Sequence, residues 1–372
     1  LKRRKITIIG GGNGGFAAAA DLTIRGHEIT LYELPDFRNG LTEVIEKGGI
    51  VLETLPSNGL KGGFAKIHKI TFDIEEALKA SDIVFVIVPS NALEMIAKLC
   101  APHIRENQII TLCPANFGGS IMFRKVLKEN GCEKQVWIAE ASCMMYACRK
   151  KDASSVWVRG YKHDLGVAFF PSKNSDEAFR ELQEIYPIIT KYDNVLATGL
   201  SNPNTLLHTT LMMANLSNID NQEDRLFYRE CFSQSVQNIL DVLEVERMQF
   251  NSIPGLKLTT LWEMFARWYN YQGAMGSSLR ELATSAPFYA HSKMPTTINH
   301  RYLTEDVPYG LIPIEELMEQ LALPHKATSA LVQMCCTMCG TDFYKEARTL
   351  EELGLKGLDS KQMMNYLASG SY

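Results

Sequence analysis

The segment that most restricts this chain is Gly10-Gly11-Gly12-Asn13-Gly14-Gly15. It follows the β-branched run Ile6-Thr7-Ile8-Ile9 and opens directly into the alanine-rich stretch Phe16-Ala17-Ala18-Ala19-Ala20. The spacing G-x-G-x-x-G falls on Gly10, Gly12 and Gly15. In a strand-turn-helix unit one glycine allows the tight turn, one lets a pyrophosphate approach the backbone, and one lets helix pack closely on strand. The helix that follows presents free N–H groups and a positive dipole end, with Asn13 and Gly14 at its start. Alone the string is a weak signal. Here a second apolar run, residues 27–33, ends on Glu33, 18 residues after Gly15, where a carboxylate accepts hydrogen bonds from adenosine ribose hydroxyls. Together these elements predict a dinucleotide site rather than a plain strand-turn-helix. Glu33 repels a 2′-phosphate and favours NAD, while Arg38 just downstream is placed to pair with such a phosphate and keeps NADP open.

Further β-branched runs recur at 67–72, 82–88, 108–113 and 135–140, separated by amphipathic stretches. Strands apolar on both faces and alternating with helices predict a parallel sheet covered on two sides, an α/β domain over residues 1–198. Ligands on such sheets occupy the crevice beyond the carboxyl ends of the strands, so Pro89 and Ser90, after the fourth strand, are expected on the nicotinamide side. A simple strand-ending turn is the alternative there. Beyond residue 202 the pattern changes to apolar residues three and four apart, as in Phe232, Val236, Leu240 and Leu243, which predicts a helical domain over 199–372. The boundary is expected in the loop at 197–204.

A length of 372 residues fits two domains. The 46% hydrophobic and 22% charged content is that of an ordinary globular chain, and no apolar run reaches the length of a membrane span. A formal charge of -4 offers no basic footprint for nucleic acid, so small molecules are the expected partners. Nine cysteines without dense spacing fit a reducing cytoplasm.

Two places in the second half carry chemistry. The run His300-Arg301-Tyr302-Leu303-Thr304-Glu305-Asp306-Val307-Pro308-Tyr309-Gly310 is either a polar active-site segment or a solvated helix connection. His208 is either a satisfied core histidine or a proton donor, since hydride transfer to C=O or C=N calls for a group that titrates near neutrality. Asp306 is a carboxylate suited to orient such an imidazole.

The strings GGGNGG, PSNA, ASCMMYACR, NPNTLLH, HRYLTEDVPYGLIPI and TDFYKEARTLEELGL, in this order along nearly the whole chain, resemble the opine dehydrogenases, the family of octopine, nopaline and N-(1-carboxyethyl)norvaline dehydrogenases. The resemblance implies an N-terminal Rossmann domain, a C-terminal all-helical domain and a substrate cleft between them. It implies that an α-keto acid and an amino acid condense to an imine that NADH or NADPH reduces. It also places the catalytic histidine on His208, its aspartate partner on Asp306, the arginine that grips the keto-acid carboxylate on Arg301, and a contributor to the amino-acid pocket on Cys148. A buried structural thiol is the other reading of Cys148. Many relatives carry proline after the histidine, and Thr209 stands there in this chain. The alternatives are a simple 2-keto or 3-hydroxy acid dehydrogenase on the same plan, and a nucleotide-sensing protein without turnover. A homodimer is the oligomer allowed for.

Cys336 and Cys339 have C-x-x-C spacing in an apolar stretch without a second pair, so no metal is expected. Trp262, Phe265, Trp268 and Tyr269 have helical spacing and read as core or as a substrate wall.

Overall fold

The computed structural model describes residues 2–371. They form two compact units, one made of the chain up to Ala115 with Gly119–Lys191, the other of Asn116–Gly118 with the chain from Tyr192 onward.

The first unit is built on an eight-stranded sheet whose spatial order is Ile189–Lys191, Leu165–Phe170, Val136–Ala141, Gln108–Leu112, Ile83–Val86, Lys5–Ile9, Glu28–Tyr32, Lys69–Thr71. Only the pair Leu165–Phe170 with Val136–Ala141 is antiparallel; the other neighbours run parallel. The order reverses at the first strand, and the point beyond its carboxyl end, between Gly10 and Ile87, is the ligand position of a Rossmann sheet.

A second sheet, in the order Gly63–Lys66, Gly49–Thr54, Ser155–Tyr161, Tyr146–Lys150, was not foreseen from the sequence. It explains the alanines. The helix Asn13–Ile24 packs against strands of both sheets. A helix covered on both sides has no solvent face to make polar, and small side chains let both sheets approach. Residues Phe16 to Leu22 are accordingly all buried. Asp21 within it accepts a hydrogen bond from the Tyr146 hydroxyl at 2.8 Å and pairs with Arg25 at 3.4 Å.

The second unit is helical apart from one isolated bridge, Leu226 with Lys293. Its central helix, Pro203–Ala214, begins on Asn202, whose side chain accepts from the Asn204 N–H, with proline at the first helical position. Residues 197–204 are therefore mostly helix rather than the expected loop: Asn194 caps Val195–Leu200, and Asn202 restarts the chain almost at once. The excursion at Asn116–Gly118 is held by partners far along the chain. The Phe117 N–H donates to the Tyr309 carbonyl at 2.9 Å, the Phe117 carbonyl accepts from buried Arg348 at 2.8 Å, and the Asn202 amide donates to Asn116 at 2.5 Å. No helix among the described residues is long and apolar enough to cross a membrane.

Candidate active site

The glycine-rich turn is shaped by contacts that a side chain would violate. A Cβ on Gly10, whose φ is +110°, would lie 2.4 Å from the Ile87 carbonyl oxygen, and one on Gly15 would lie 1.8 Å from the Gly10 carbonyl oxygen. Gly12 is different: a Cβ there meets no protein atom within 4 Å. The space beside it is open, and that is where a pyrophosphate would approach. The helix beginning at Asn13 has no side-chain cap and no acidic residue in its first turn, so its N–H groups and dipole remain available to an anion.

Glu33 lies at the expected strand end, half-buried. One carboxylate oxygen accepts from the Gly11 N–H at 2.7 Å and the other from the Leu34 N–H at 2.9 Å. An ionised carboxylate has about four acceptor positions, so both oxygens can still receive ribose hydroxyls. Arg38 is exposed on the 3-10 turn Pro35–Leu41, its guanidinium 4.4 Å above the Phe72 ring. Pro89 and Ser90 follow the strand Ile83–Val86; Ser90 is buried and starts a short 3-10 turn.

Sequence reasoning missed Lys150. Its ammonium donates to the Gly11 carbonyl at 3.0 Å and sits 3.4 Å above the Phe16 ring, and its N–H donates to the Asn13 side chain at 2.8 Å. Burial pushes its pKa below the ordinary lysine value, with Glu33 acting in the opposite direction. Cys148, two residues earlier on the same strand, places its thiol 3.3 Å from the Asn13 carbonyl oxygen. The structure thus sets Cys148 at the glycine-rich turn, half-buried, where it ties the strand Tyr146–Lys150 to the start of the helix. Glu33 and Lys150 bracket the Gly11 peptide, one at its N–H and one at its carbonyl. The open flank at Gly12, the uncapped helix start and the ready carboxylate all fit a nicotinamide dinucleotide.

In the second unit, His208 and Asp306 come together although 98 residues separate them. His208 Nδ1 lies 2.8 Å from the Asp306 carboxylate, and both side chains are only 8% exposed. His208 lies well inside its helix, and Thr209 continues it, its hydroxyl donating to the Thr205 carbonyl at 2.5 Å. The carboxylate is delivered by an irregularity. After the short helix Arg301–Thr304, Pro308 cannot donate to the carbonyl four residues back, and the chain widens into a π-helical turn, Val307–Leu311, in which the Leu311 N–H reaches the Asp306 carbonyl at 2.9 Å. The turn approaches the His208 helix closely: a Cβ on Gly310 would lie 2.6 Å from the Thr205 hydroxyl.

Aromatic rings surround the imidazole. Tyr302 stacks on it with centroids 3.7 Å apart, Phe227 lies tilted at 6.0 Å, and the Tyr228 hydroxyl is 3.0 Å from Nε2. Tyr302 stood in the polar run singled out above; Tyr228 had no sequence signal beyond a pair of aromatics among charges. Arg301 pairs at 2.8 Å with Glu305, one helical turn on. The arginine side chain is 54% exposed and Glu305 only 5%. Burial opposes the charge on Arg301, but Glu305 and Asp306 outweigh it and raise its pKa. An exposed guanidinium anchored at one edge by a buried carboxylate keeps donors for a second carboxylate.

The remaining candidates have settled places. Phe265, Trp268 and Tyr269 are core, whereas Trp262 is partly exposed and donates to the Gly276 carbonyl at 3.0 Å. Cys336 and Cys339 are half-buried on the helix Lys326–Cys339, and among the described residues no group of three or more His, Cys, Asp or Glu side chains is placed to hold a metal ion.

Comparison with known proteins agrees with this division. Residues 191–339 match the family described as NAD/NADP octopine/nopaline dehydrogenase, alpha-helical domain, and residues 5–115 match that described as NAD-dependent glycerol-3-phosphate dehydrogenase N-terminus. The opine dehydrogenase of Arthrobacter sp. (strain 1C) is 30% identical over 96% of this chain and 97% of its own length. Among solved structures, an octopine dehydrogenase with NADH and L-arginine covers 99% of this chain and 98% of its own at a TM-score of 0.76 and 18% identity. A yersinopine dehydrogenase with NADP+ covers 98% of both chains at a TM-score of 0.69 and 14% identity.

Proposed function

The chain belongs to the opine dehydrogenase family, and we propose that its buried His208–Asp306 pair is the acid-base device with which it makes and breaks the secondary amine of an opine. It is an NAD(P)-dependent oxidoreductase acting on CH–NH, condensing an α-keto acid with an amino acid and reducing the imine. The cofactor, when bound, supplies and takes back a hydride. What else the reaction needs comes from side chains of this chain.

The observation that carries the proposal is the 2.8 Å contact between His208 Nδ1 and Asp306 at 8% exposure. A carboxylate accepting from Nδ1 fixes the ring, sets its tautomer and stabilises the imidazolium. Reducing an imine consumes one hydride and one proton, and the imidazolium is the proton source. Arg301 holds the keto-acid carboxylate through two parallel hydrogen bonds, its far edge kept in place by Glu305. Glu33 takes the adenosine ribose; Gly10, Gly12, Asn13, Gly14 and Gly15 cradle the pyrophosphate, with Lys150 adding positive charge. Pro89 and Ser90 flank the nicotinamide. Of the two readings of Cys148, a contributor to the amino-acid pocket or a structural thiol, the contact of its thiol with the Asn13 carbonyl supports the second, a brace for the turn. NAD is the preferred cofactor, since the Glu33 carboxylate stands where a 2′-phosphate would come, and NADP use would run through Arg38. A reducing cytoplasm is proposed with it, supported by nine free thiols.

The test is cofactor oxidation measured with keto acids, each with and without a panel of amino acids. Oxidation that requires both is expected. Oxidation by a keto acid alone would make the protein a simple keto-acid reductase, and cofactor binding without turnover would make it a sensor.

A further inference from the structure

His208 has both ring nitrogens engaged. Nδ1 faces the Asp306 carboxylate at 2.8 Å, and Nε2 faces the Tyr228 hydroxyl at 3.0 Å. An ionised carboxylate only accepts, so Nδ1 carries a proton. The neutral ring then accepts at Nε2 from the Tyr228 hydroxyl, and the imidazolium donates from Nε2 to the phenolic oxygen. The exchangeable proton of His208 therefore meets the Tyr228 oxygen first. Tyr228 is itself firmly placed. Its ring stacks on Tyr289 at 3.9 Å and meets Phe227 edge-on at 4.9 Å. The backbone around it is pinned by hydrogen bonds from the Phe227 N–H to the Ser292 carbonyl at 2.7 Å and from the Met294 N–H to the Arg225 carbonyl at 2.9 Å.

We propose that Tyr228 is a catalytic residue of this site, the group that hands the His208 proton to the substrate nitrogen and takes it back in the reverse direction. This rests on the acid-base reading of His208 given above. In reduction the Tyr228 O–H bond breaks toward the imine nitrogen as hydride reaches the imine carbon, and the C=N double bond becomes a single bond. At the same time the Nε2 proton passes to the phenolic oxygen. Tyrosine ends as it began, the imidazolium ends neutral, and the substrate has gained one hydride and one proton. Oxidation of the opine runs the same path backward.

Tyr228→Phe removes the hydroxyl and keeps the ring that stacks on Tyr289. The expected result is a loss of turnover on the order of 100-fold in both directions, with cofactor affinity and melting temperature close to wild type. The solvent-isotope proton inventory should pass from two-proton to one-proton behaviour. Full turnover in the variant, or faster turnover with a lower KM for the amino acid, would make Tyr228 a plug that the substrate displaces and would overturn the proposal. A slow variant combined with one-proton behaviour in the wild type would overturn it too, because the hydroxyl would then only hold the ring. His208→Ala measured alongside separates the two layers. If it abolishes the pH dependence while Tyr228→Phe turns over normally, the relay alone fails. If the pH dependence survives in His208→Ala, the acid-base reading fails and the relay falls with it.

Discussion

Of the two sites proposed above, the one at the glycine-rich turn would work through main-chain N–H groups, and what leaves room for it is the absence of side chains at Gly10, Gly12 and Gly15. At His208 the working groups are side chains, and what makes them work is that neighbours crowd in: a carboxylate on one nitrogen, a hydroxyl on the other, a tyrosine ring across the face. The first site is set by sterics over six consecutive residues. The second is set by electrostatics and packing among residues that only the folded chain assembles. The first should therefore fail when anything is added, the second when anything is removed.

The largest effect expected from this contrast is at the imidazole. His208→Ala and Asp306→Asn should each cost roughly 100-fold or more in turnover, while the double variant costs far less than the product, because the two act as one unit. Cofactor affinity, measured by fluorescence titration, should not move. Multiplying losses would dissolve the pair, and a changed cofactor affinity would break the separation of the two sites.

Next comes Arg301→Lys, which keeps the charge but not the planar two-point grip. The loss expected in turnover per keto-acid concentration is roughly 30-fold, about 2 kcal/mol, the scale of a charge-assisted hydrogen bond. A normal lysine variant would reduce Arg301 to the structural partner of Glu305.

Smaller still, and sharpest for the comparison, is Gly12→Ala. A methyl group there meets no protein atom within 4 Å, so the melting temperature should stay near wild type. Cofactor affinity should nonetheless fall about tenfold, some 1.4 kcal/mol. Gly15→Ala, with its Cβ 1.8 Å from the Gly10 carbonyl oxygen, should lose fold and cofactor together. Unchanged cofactor affinity in Gly12→Ala would show that the open space there is not the ligand's, and equal melting of the two variants would show that the crowding at Gly15 is relieved without loss of fold.

The smallest effect is at Lys150. Because burial lowers its pKa, the ammonium is lost earlier as pH rises, so cofactor affinity should decline on the alkaline side before the ordinary lysine range is reached. The expected change is about threefold, as for a partly exposed charge contact, and Lys150→Met should abolish that limb.

What could be read from the sequence follows the same divide. The turn, the strand ending at Glu33 and the apolar strands of the main sheet are local patterns, and the structure has strands at each of those runs. The second sheet is hard to read because two of its strands turn apolar residues to solvent, Val51 at 37% and Phe64 at 53% exposure, which blurs the alternation. The transfer of Asn116–Gly118 to the helical unit depends on Tyr309 and Arg348, and nothing near residue 116 announces it. His208, Arg301 and Asp306 stood out from the residues only as one reading among others, and it was the family resemblance that singled them out. The roles proposed for Tyr228 and Lys150 depend on position alone, which no local pattern or motif in the sequence marks.

The widened turn after Asp306 has a consequence for how such chains tolerate change. In a regular helix each residue advances the direction of the next side chain by about 100°, so the extra residue held in Val307–Leu311 sets the phase of everything before it relative to Ile312–Gln320. Deleting one residue there would leave every side chain of the pair chemically intact and still swing the carboxylate off the imidazole. Whether Asp306 faces His208 is thus decided by a count, and an insertion or deletion between 307 and 311 is more damaging than most substitutions in the same stretch.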